Sequence, residues 1–190
     1  MKLVFNKKKL FKKGECMKRV VAISIVFLGL LSANVELNKP LPSVTLSGDS
    51  GYYNGKEWSS NMLKGKTTML MYVDPDEKYK GEEFKAYIEK MEKELDFNKF
   101  QILVVLNTGA TWKPKFLIKK LMDNKLKKYP KRIYVFDNGS KLVKEWGLRD
   151  DEYNVVLIDK DLKPIYQHKG KWSKEDMENF YKLVKKQINK

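Results

Sequence analysis

Apolar and mixed segments alternate along most of the chain. Four continuous apolar runs occupy residues 69–73, 102–106, 133–136 and 155–158. Runs of this length are typical of strands buried on both faces, as in a sheet that crossover helices cover. The pattern therefore predicts an α/β fold with a central sheet, in which Leu103 and Leu157 belong to the core.

The segments between these runs have the apolar spacing of helices. Residues 84, 87, 88, 91 and 95 are apolar and lie three or four positions apart, which predicts a helix with one apolar face. Pro114 suits the first turn of a second helix, and a short third helix is expected just before Gly147. The expected apolar face of the second helix carries Phe116, Leu117, Leu121 and Met122.

Both ends of this region break the alternation. Residues 34–61 are polar and rich in turns, which predicts an N-terminal hairpin laid on the larger sheet. Pro164 opens a short strand that belongs at a sheet edge, and Ser173 with Asp176 forms an N-cap for a closing helix. The predicted fold class is a central mixed sheet flanked by helices, with this hairpin extension and a C-terminal β-hairpin and helix.

The first 33 residues have the organisation of an export signal. Lys18 and Arg19 precede an apolar run at residues 20–31, which closes on Ser32 and Ala33. A run of this length is short for a bilayer span of ~20 residues and typical of a signal peptide. We expect cleavage after Ala33, translation from Met17 and a periplasmic location. An uncleaved membrane anchor is the alternative.

The length of 190 residues leaves room for one domain with a substantial core, at residues 34–190. The formal net charge is +15, of which residues 1–33 carry +7 and the remainder +8. Most lysines alternate with glutamates, which is typical of solvated helix faces and does not favour a nucleic-acid partner. The densest basic cluster, the best candidate surface for an acidic partner, is Lys119, Lys120, Lys125, Lys127, Lys128, Lys131 and Arg132.

The chain has one cysteine, Cys16, which precedes the apolar run of the signal. It cannot be a lipoprotein cysteine, because that residue follows such a run. The predicted mature chain therefore has no thiol, and it can form no disulfide even in an oxidising compartment.

Several stretches resemble the thioredoxin-like fold in its redoxin and peroxiredoxin variety. These stretches are residues 63–66, the segment from Tyr129 to Leu148, and the strand and turn at 155–161. Asn107-Thr108, residues 127–130, 146–148 and 155–161 are similar to the YtfJ family of small bacterial periplasmic proteins. The resemblance covers about residues 40–190. It implies the fold and a periplasmic location but no activity, because that family has no settled one.

Redox-active members of this superfamily carry a cysteine after the first core strand, where a helix N-terminus stabilises the thiolate. Here that region reads Asp74-Pro75-Asp76-Glu77-Lys78-Tyr79-Lys80, and the position of the superfamily's cis-proline falls on Tyr153. Both halves of a thiol site are therefore absent. The candidate functional surface comprises the residues at these two places: Asp74, Asp76, Glu77, Asp150, Asp151, Tyr153 and Asn154.

The two acidic loops, residues 74–77 and 150–152, have more than one interpretation. Acids at a helix N-terminus stabilise the helix dipole without any further function. They could also form a cation site if both loops lie at the same end of the sheet, although His168 is the only histidine. No serine-nucleophile motif or phosphate-binding loop is present, and we expect no resident cofactor or metal.

These observations leave three hypotheses about function. The first is a periplasmic module without thiol redox activity that binds another envelope protein or ligand. The second is a cysteine-independent enzyme that uses the acidic loops with or without a cation. The third is a basic surface that binds anionic envelope components, with membrane contact if the signal segment is retained.

Overall fold

Six strands form one mixed sheet in the part of the chain that the structure, a computed structural model, describes, residues 35–190. The predicted signal peptide, its cleavage position and Cys16 lie outside these residues. The strands are β1 Thr45–Leu46, β2 Gly51–Tyr52, β3 Trp58–Ser59, β4 Thr67–Val73, β5 Phe100–Leu106, β6 Ile133–Phe136, β7 Tyr153–Ile158 and β8 Pro164–Lys169. The helices are α1 Glu82–Glu94, α2 Lys115–Lys128, α3 Lys141–Trp146 and α4 Lys174–Ile188, and 3₁₀ turns span Ser60–Leu63 and Lys78–Gly81.

The sheet order is β2-β6-β5-β4-β7-β8. β4 is central, pairs in parallel with β5 and antiparallel with β7, and has all seven residues buried. α1 and α2 are the crossovers that make β4, β5 and β6 parallel. This arrangement confirms the predicted central mixed sheet and the alternation of strands with helices.

One face of the sheet packs against α1 and α4. Phe84 and Ile88 of α1 and Phe180 of α4 lie in a core cluster with Met69 and Ile102 of the sheet. The Phe84 ring stacks on Trp172 with centroids 4.0 Å apart, and the edge of Phe180 meets the same pair. These aromatic contacts bury the apolar face that the spacing of α1 predicts.

The opposite face packs against α3 and the N-terminal segment. Strand side chains that point the other way, including Leu70 and Leu103, meet Trp58 and Trp146 there. The two tryptophan rings contact each other edge to face at 6.5 Å. The sheet is therefore covered on both sides, as its continuous apolar runs predict.

The predicted apolar face of α2 is only partly confirmed: Met122 is buried and Leu117 is half-buried, but the other two residues are exposed. Phe116 is 75% exposed and Leu121 is 44% exposed, while Ile118 and Met122 are buried against Tyr134. Ile118 and Met122 are four positions apart and share one side of the helix, whereas Phe116 lies about 200° around it from Ile118. α2 carries apolar residues on more than one side, so the sequence does not say which side meets the sheet.

The predicted N-terminal hairpin and the predicted C-terminal hairpin and helix are both present, and they differ from the prediction in detail. The N-terminal hairpin forms a separate two-stranded sheet from β1 and β3, while β2 between them joins the edge of the main sheet beside β6. β8 begins at Pro164 on the opposite edge and continues to Lys169. α4 begins with the predicted cap: the Asp176 amide donates to Ser173 Oγ at 3.0 Å, and the Ser173 amide donates to the Asp176 carboxylate at 3.2 Å.

Candidate functional site

The carboxyl ends of β4 and β5 meet the start of β7 at one end of the sheet. Val73, the last residue of β4, pairs with Leu106 on one side and with Tyr153 on the other. The segments that follow or precede these residues therefore converge. In this way the fold brings together the two acidic loops, which are more than 70 positions apart in the chain.

Asp74 is the buried member of the acidic group. One of its carboxylate oxygens accepts a hydrogen bond from the Asp76 amide at 2.7 Å, which tightens the turn after β4. Burial raises the pKa of Asp74 to about 6, and the charges of Asp151, Glu77 and Asp150 add to the rise while Lys113 opposes it. The electrostatic coupling to Asp151 and Asp150 shows that both acidic loops act on the same carboxyl group.

Two lysines neutralise much of this acidity. Lys113 forms an ion pair with Asp76. Lys80 lies 3.0 Å from Glu77 and 3.4 Å from Glu152, and its ammonium also donates to the Asp151 carbonyl at 3.0 Å. The hydrogen bond with Glu77 raises the pKa of Lys80, and the Lys80 ammonium lowers the pKa of Glu77. Lys80 thus ties the two loops to each other.

Asp74, Asp76 and Glu77 lie outside the first turn of α1, because the 3₁₀ turn Lys78–Gly81 stands between them and that helix. α1 begins later, at Glu82, and the acids in its first turn are Glu82 and Glu83. Among residues 35–190, no group of three or more histidine, cysteine, aspartate or glutamate side chains is arranged to hold a metal ion. The acids of the first loop instead hold the turn and the lysines beside it.

Tyr153 fills the space above the start of α1. Its ring packs on Gly81, where a Cβ would overlap the ring, so the contact needs glycine at position 81. The hydroxyl donates to the sulfur of Met71 at 3.2 Å, and burial raises the pKa of Tyr153. None of the peptide bonds within residues 35–190 is cis. A protonated phenol therefore occupies the place that the sequence matching assigned to the cis-proline.

Asn154 and Asp150 have structural partners. Asn154 is fully buried, and its side-chain amide donates to the Arg149 carbonyl at 2.8 Å and accepts from the Arg149 amide at 3.1 Å. Asp150 accepts a hydrogen bond from the side-chain amide of Asn107. Asp151 is exposed and contributes charge rather than contacts to Asp74. These residues shape the loop before β7.

A buried polar network beside this site is built from residues outside the candidate functional surface. Tyr72 donates to the Asp137 carboxylate at 3.2 Å, and that carboxylate accepts the amides of Lys141 and Leu142 at 2.8 Å each. Ser140, with a left-handed φ of 49°, donates to Asn107 at 3.0 Å. Asp137 could have been found as an acidic residue just before a helix, because side-chain oxygens satisfy the first amides of helices.

The basic cluster divides into paired and unpaired side chains. Arg132 makes a bidentate contact with Glu92 at 2.6 and 2.9 Å, and Lys128 lies 3.6 Å from Glu89. Both acids belong to α1. Part of the basic cluster therefore binds α1 to the α2–β6 connection, and it is not one uniform surface for an acidic partner.

The described residues contain no helix long and apolar enough to cross a membrane. The sheet order, the crossover helices, and the loop after β4 facing the start of β7 together define a thioredoxin-like α/β protein. A family model described as "Bacterial protein of unknown function (YtfJ_HI0045)" matches residues 35–187. The chain belongs to this family.

Known relatives agree with both statements. The uncharacterized protein YtfJ of Escherichia coli K12 is 20% identical over 180 residues, which cover 90% of this chain and 97% of that protein. Among solved structures, a thiol:disulfide interchange protein from a Bacteroides species superposes with a TM-score of 0.58 at 16% identity, covering 82% of this chain and 92% of that chain.

Two further solved structures share the same fold. The exposed lipoprotein thioredoxin Etrx1 of Streptococcus pneumoniae TIGR4 has a TM-score of 0.56 at 19% identity, covering 76% of this chain and 99% of that one. A thiol peroxidase from Chromobacterium violaceum has a TM-score of 0.55 at 12% identity, covering 80% and 87%. At these identities the likeness concerns the fold alone.

Proposed function

We propose that this protein is an exported, thioredoxin-like binding module of the bacterial envelope that has no thiol redox activity. Cys16 is the only cysteine of the chain, and it precedes the proposed mature domain at residues 34–190. Disulfide exchange and thiol-dependent peroxide reduction both begin with a thiolate, which such a domain cannot supply. The absence of a cysteine from residues 34–190 is the observation that carries this proposal.

The geometry of the loop after β4 supports the same proposal. The segment from Asp74 to Gly81 holds paired acids and lysines, and Tyr153 packs on Gly81 with its hydroxyl on the Met71 sulfur. Met71 does not replace a cysteine, because a thioether can be oxidised but cannot exchange disulfides. The framework of this fold is thus present with a different set of side chains at its functional end, which fits recognition of an envelope protein or ligand.

Export is proposed from the N-terminal 33 residues, whose basic pair and short apolar run resemble a signal peptide. One structural neighbour is an exposed lipoprotein, which is consistent with an envelope location for this fold. A cation-dependent enzyme on the acidic loops has less support, because Lys80 and Lys113 already form ion pairs with Glu77, Glu152 and Asp76.

The test is a pair of thiol assays on the protein expressed from its full-length gene and purified from the exported fraction. We expect insulin reduction with a thiol reductant, and peroxide consumption with the same reductant, to stay at the level of reagent blanks. A thioredoxin sample serves as the positive control, and Cys16→Ser is the matched variant. Turnover above blanks that persists in Cys16→Ser contradicts the proposal, and turnover that disappears in Cys16→Ser contradicts removal of the N-terminal segment.

A further inference from the structure

α1 and α2 leave an apolar cleft between them on one face of the sheet. Its volume is about 240 Å³, and its floor is formed by strand residues, with Met71 and Val73 from β4 and Val104 and Leu106 from β5. Ile88 of α1 and Met122 of α2 line its walls. The cleft therefore offers a small hydrophobic site that a single slender chain can fill.

The cleft is lined by five cationic side chains and by one acid, Glu82. Three of the cations are balanced: Arg132 by Glu92, Lys113 by Asp76, and Lys85 by Glu82 at 3.7 Å. Lys78 and Lys125, in contrast, have no carboxylate at ion-pair distance within residues 35–190. An excess of positive charge consequently borders an apolar floor.

Lys85 and Lys125 project onto this cleft from the two facing helices. Desolvation lowers the pKa of Lys125, and the like charges of Lys85 and Arg132 lower it further, while Glu82 opposes the fall. An anion in the cleft would offset the repulsion that acts on Lys125, while Lys85 keeps Glu82 as its partner.

A buried hydrogen-bond donor beside the cleft also lacks a partner at normal hydrogen-bond length. Tyr134 lines the cleft and is 4% exposed, and its buried hydroxyl makes no hydrogen bond of normal length among the described residues, although Arg132 lies near enough to act on its pKa. Burial raises the pKa of Tyr134 to about 12, so the phenol stays protonated at neutral pH. Buried polar groups are nearly always paired, and a ligand oxygen would satisfy this one.

We propose that the cleft between α1 and α2 binds a medium-chain monocarboxylate, a single unbranched alkyl chain that ends in one carboxylate. The alkyl chain lies on the floor of Met71, Val104 and Leu106. The carboxylate lies among Lys85, Lys125 and the Tyr134 hydroxyl. The small volume favours one chain over a two-chain lipid, and the positive rim favours a carboxylate over an alcohol. This proposal names the ligand of the binding module and so rests on the proposed function.

The test is calorimetric titration with decanoate of the protein expressed from its full-length gene. Decanol and decyltrimethylammonium serve as neutral and cationic probes with the same chain, and acetate as a carboxylate without one. We expect decanoate to bind one molecule per protein, with an affinity that falls as salt rises. Decanol should bind more weakly than decanoate, and the cationic probe and acetate should not bind measurably.

Two variants locate the carboxylate. Lys125→Met should weaken decanoate binding about tenfold, the size expected for one lost charge-assisted contact. Tyr134→Phe should weaken binding several-fold while it keeps the aromatic ring. Lys119→Met is the matched control, because Lys119 is an exposed lysine of the same helix that does not line the cleft. Circular dichroism of each variant verifies the fold.

Methionine methyl NMR reads out the site independently. Decanoate should shift the signals of Met71 and Met122, which line the cleft, and leave the exposed Met62 unchanged. Equal affinity for decanol and decanoate, or equal affinity of Lys125→Met and Lys119→Met, overturns the proposal. If the protein does not bind decanoate and shows no thiol turnover, the ligand proposal is wrong and the proposed function stands. Thiol turnover in Cys16→Ser removes the proposed function whatever the titration shows.

Discussion

Asp74 is the residue whose ionisation the fold perturbs in the most testable way. It is 4% exposed, and its carboxyl group is surrounded by the charges of Asp151, Glu77 and Asp150. The folded state raises its pKa from 3.8 to about 6, so the folded protein holds a proton that the unfolded chain has released in this range. Stability contributed by the protonated group is complete below pH 4 and is lost as the pH rises through 6.

Substitution Asp74→Asn should therefore stabilise the protein at neutral pH. Asparagine keeps an oxygen that can accept the Asp76 amide, and it removes the buried charge. We expect the Tm at pH 7 to rise by roughly 2–4 °C and the Tm at pH 4 to change little. Thermal denaturation followed by circular dichroism between pH 4 and 8 measures this profile.

Asp161→Asn is the control for this profile, because Asp161 is an exposed aspartate in a turn. Its Tm should follow that of the unsubstituted protein at every pH. A lower Tm for Asp74→Asn at pH 7 would show instead that the ionised Asp74 carboxylate is favourable in the folded state.

The acids could be selected from the sequence, because they stand where related proteins have their functional loop. The lysines that pair with these acids could not be selected from the sequence. Lys113 follows a different strand from Asp76, and Lys80 reaches Glu152 across more than 70 positions. Such pairs depend on loops converging in space, and a local pattern of residues contains no information about that.

At the scale of elements, we expect the buried side chains of the central strands to contribute strongly to the free energy of unfolding. Leu103 of β5 is fully buried between β4 and β6 and packs on the face that carries Trp58 and Trp146. Leu103→Ala should lower the free energy of unfolding by about 2–5 kcal/mol, through lost transfer energy and a residual cavity. Chemical denaturation monitored by tryptophan fluorescence measures the change.

Leu121→Ala is the matched control, since Leu121 is 44% exposed on α2. Its effect should stay within about 0.5 kcal/mol, as for most surface substitutions. If Leu103→Ala had an effect as small as that of Leu121→Ala, residue 103 would not be packed in a central strand.

α1 and α2 show when periodicity predicts a helix face and when it does not. The apolar residues of α1 form one stripe, and Phe84, Ile88 and Met91 are buried as that stripe predicts. In α2, apolar residues occur on several sides of the helix. Ile118 and Met122 are the ones that pack on the sheet, against Tyr134 and Val104. The exposed Phe116 and Leu121 remain available to solvent or to a partner.

At the scale of the whole molecule, the exported form should begin near Asn34. The apolar run at residues 20–31 is short for a membrane span and ends in Ser32 and Ala33, which suit signal-peptide cleavage. N-terminal sequencing and intact mass of the protein from the exported fraction measure the start. Ala33→Gln should slow processing, because small residues are required before the cut. A protein that still begins at Met1 or Met17 contradicts this prediction.

The sequence by itself determined the order of elements and the absence of cysteine from residues 34–190. Continuous apolar runs require burial on both faces, and a reaction that needs a sulfur nucleophile cannot occur without one. Both conclusions depend on composition and on spacing over a few residues. Composition and local spacing are properties of the amino-acid sequence, so neither conclusion needs the tertiary structure.

Tertiary structure alone decided which side chains share a site. It placed Tyr153 on Gly81, joined the acidic loops through Lys80, and set Lys85 and Lys125 on facing helices above an apolar floor. Lys85 and Lys125 are 40 positions apart, and their meeting depends on how α1 and α2 pack on the sheet. The physical reason is that burial and electrostatic coupling between distant residues arise only after the sheet has fixed the positions of the helices.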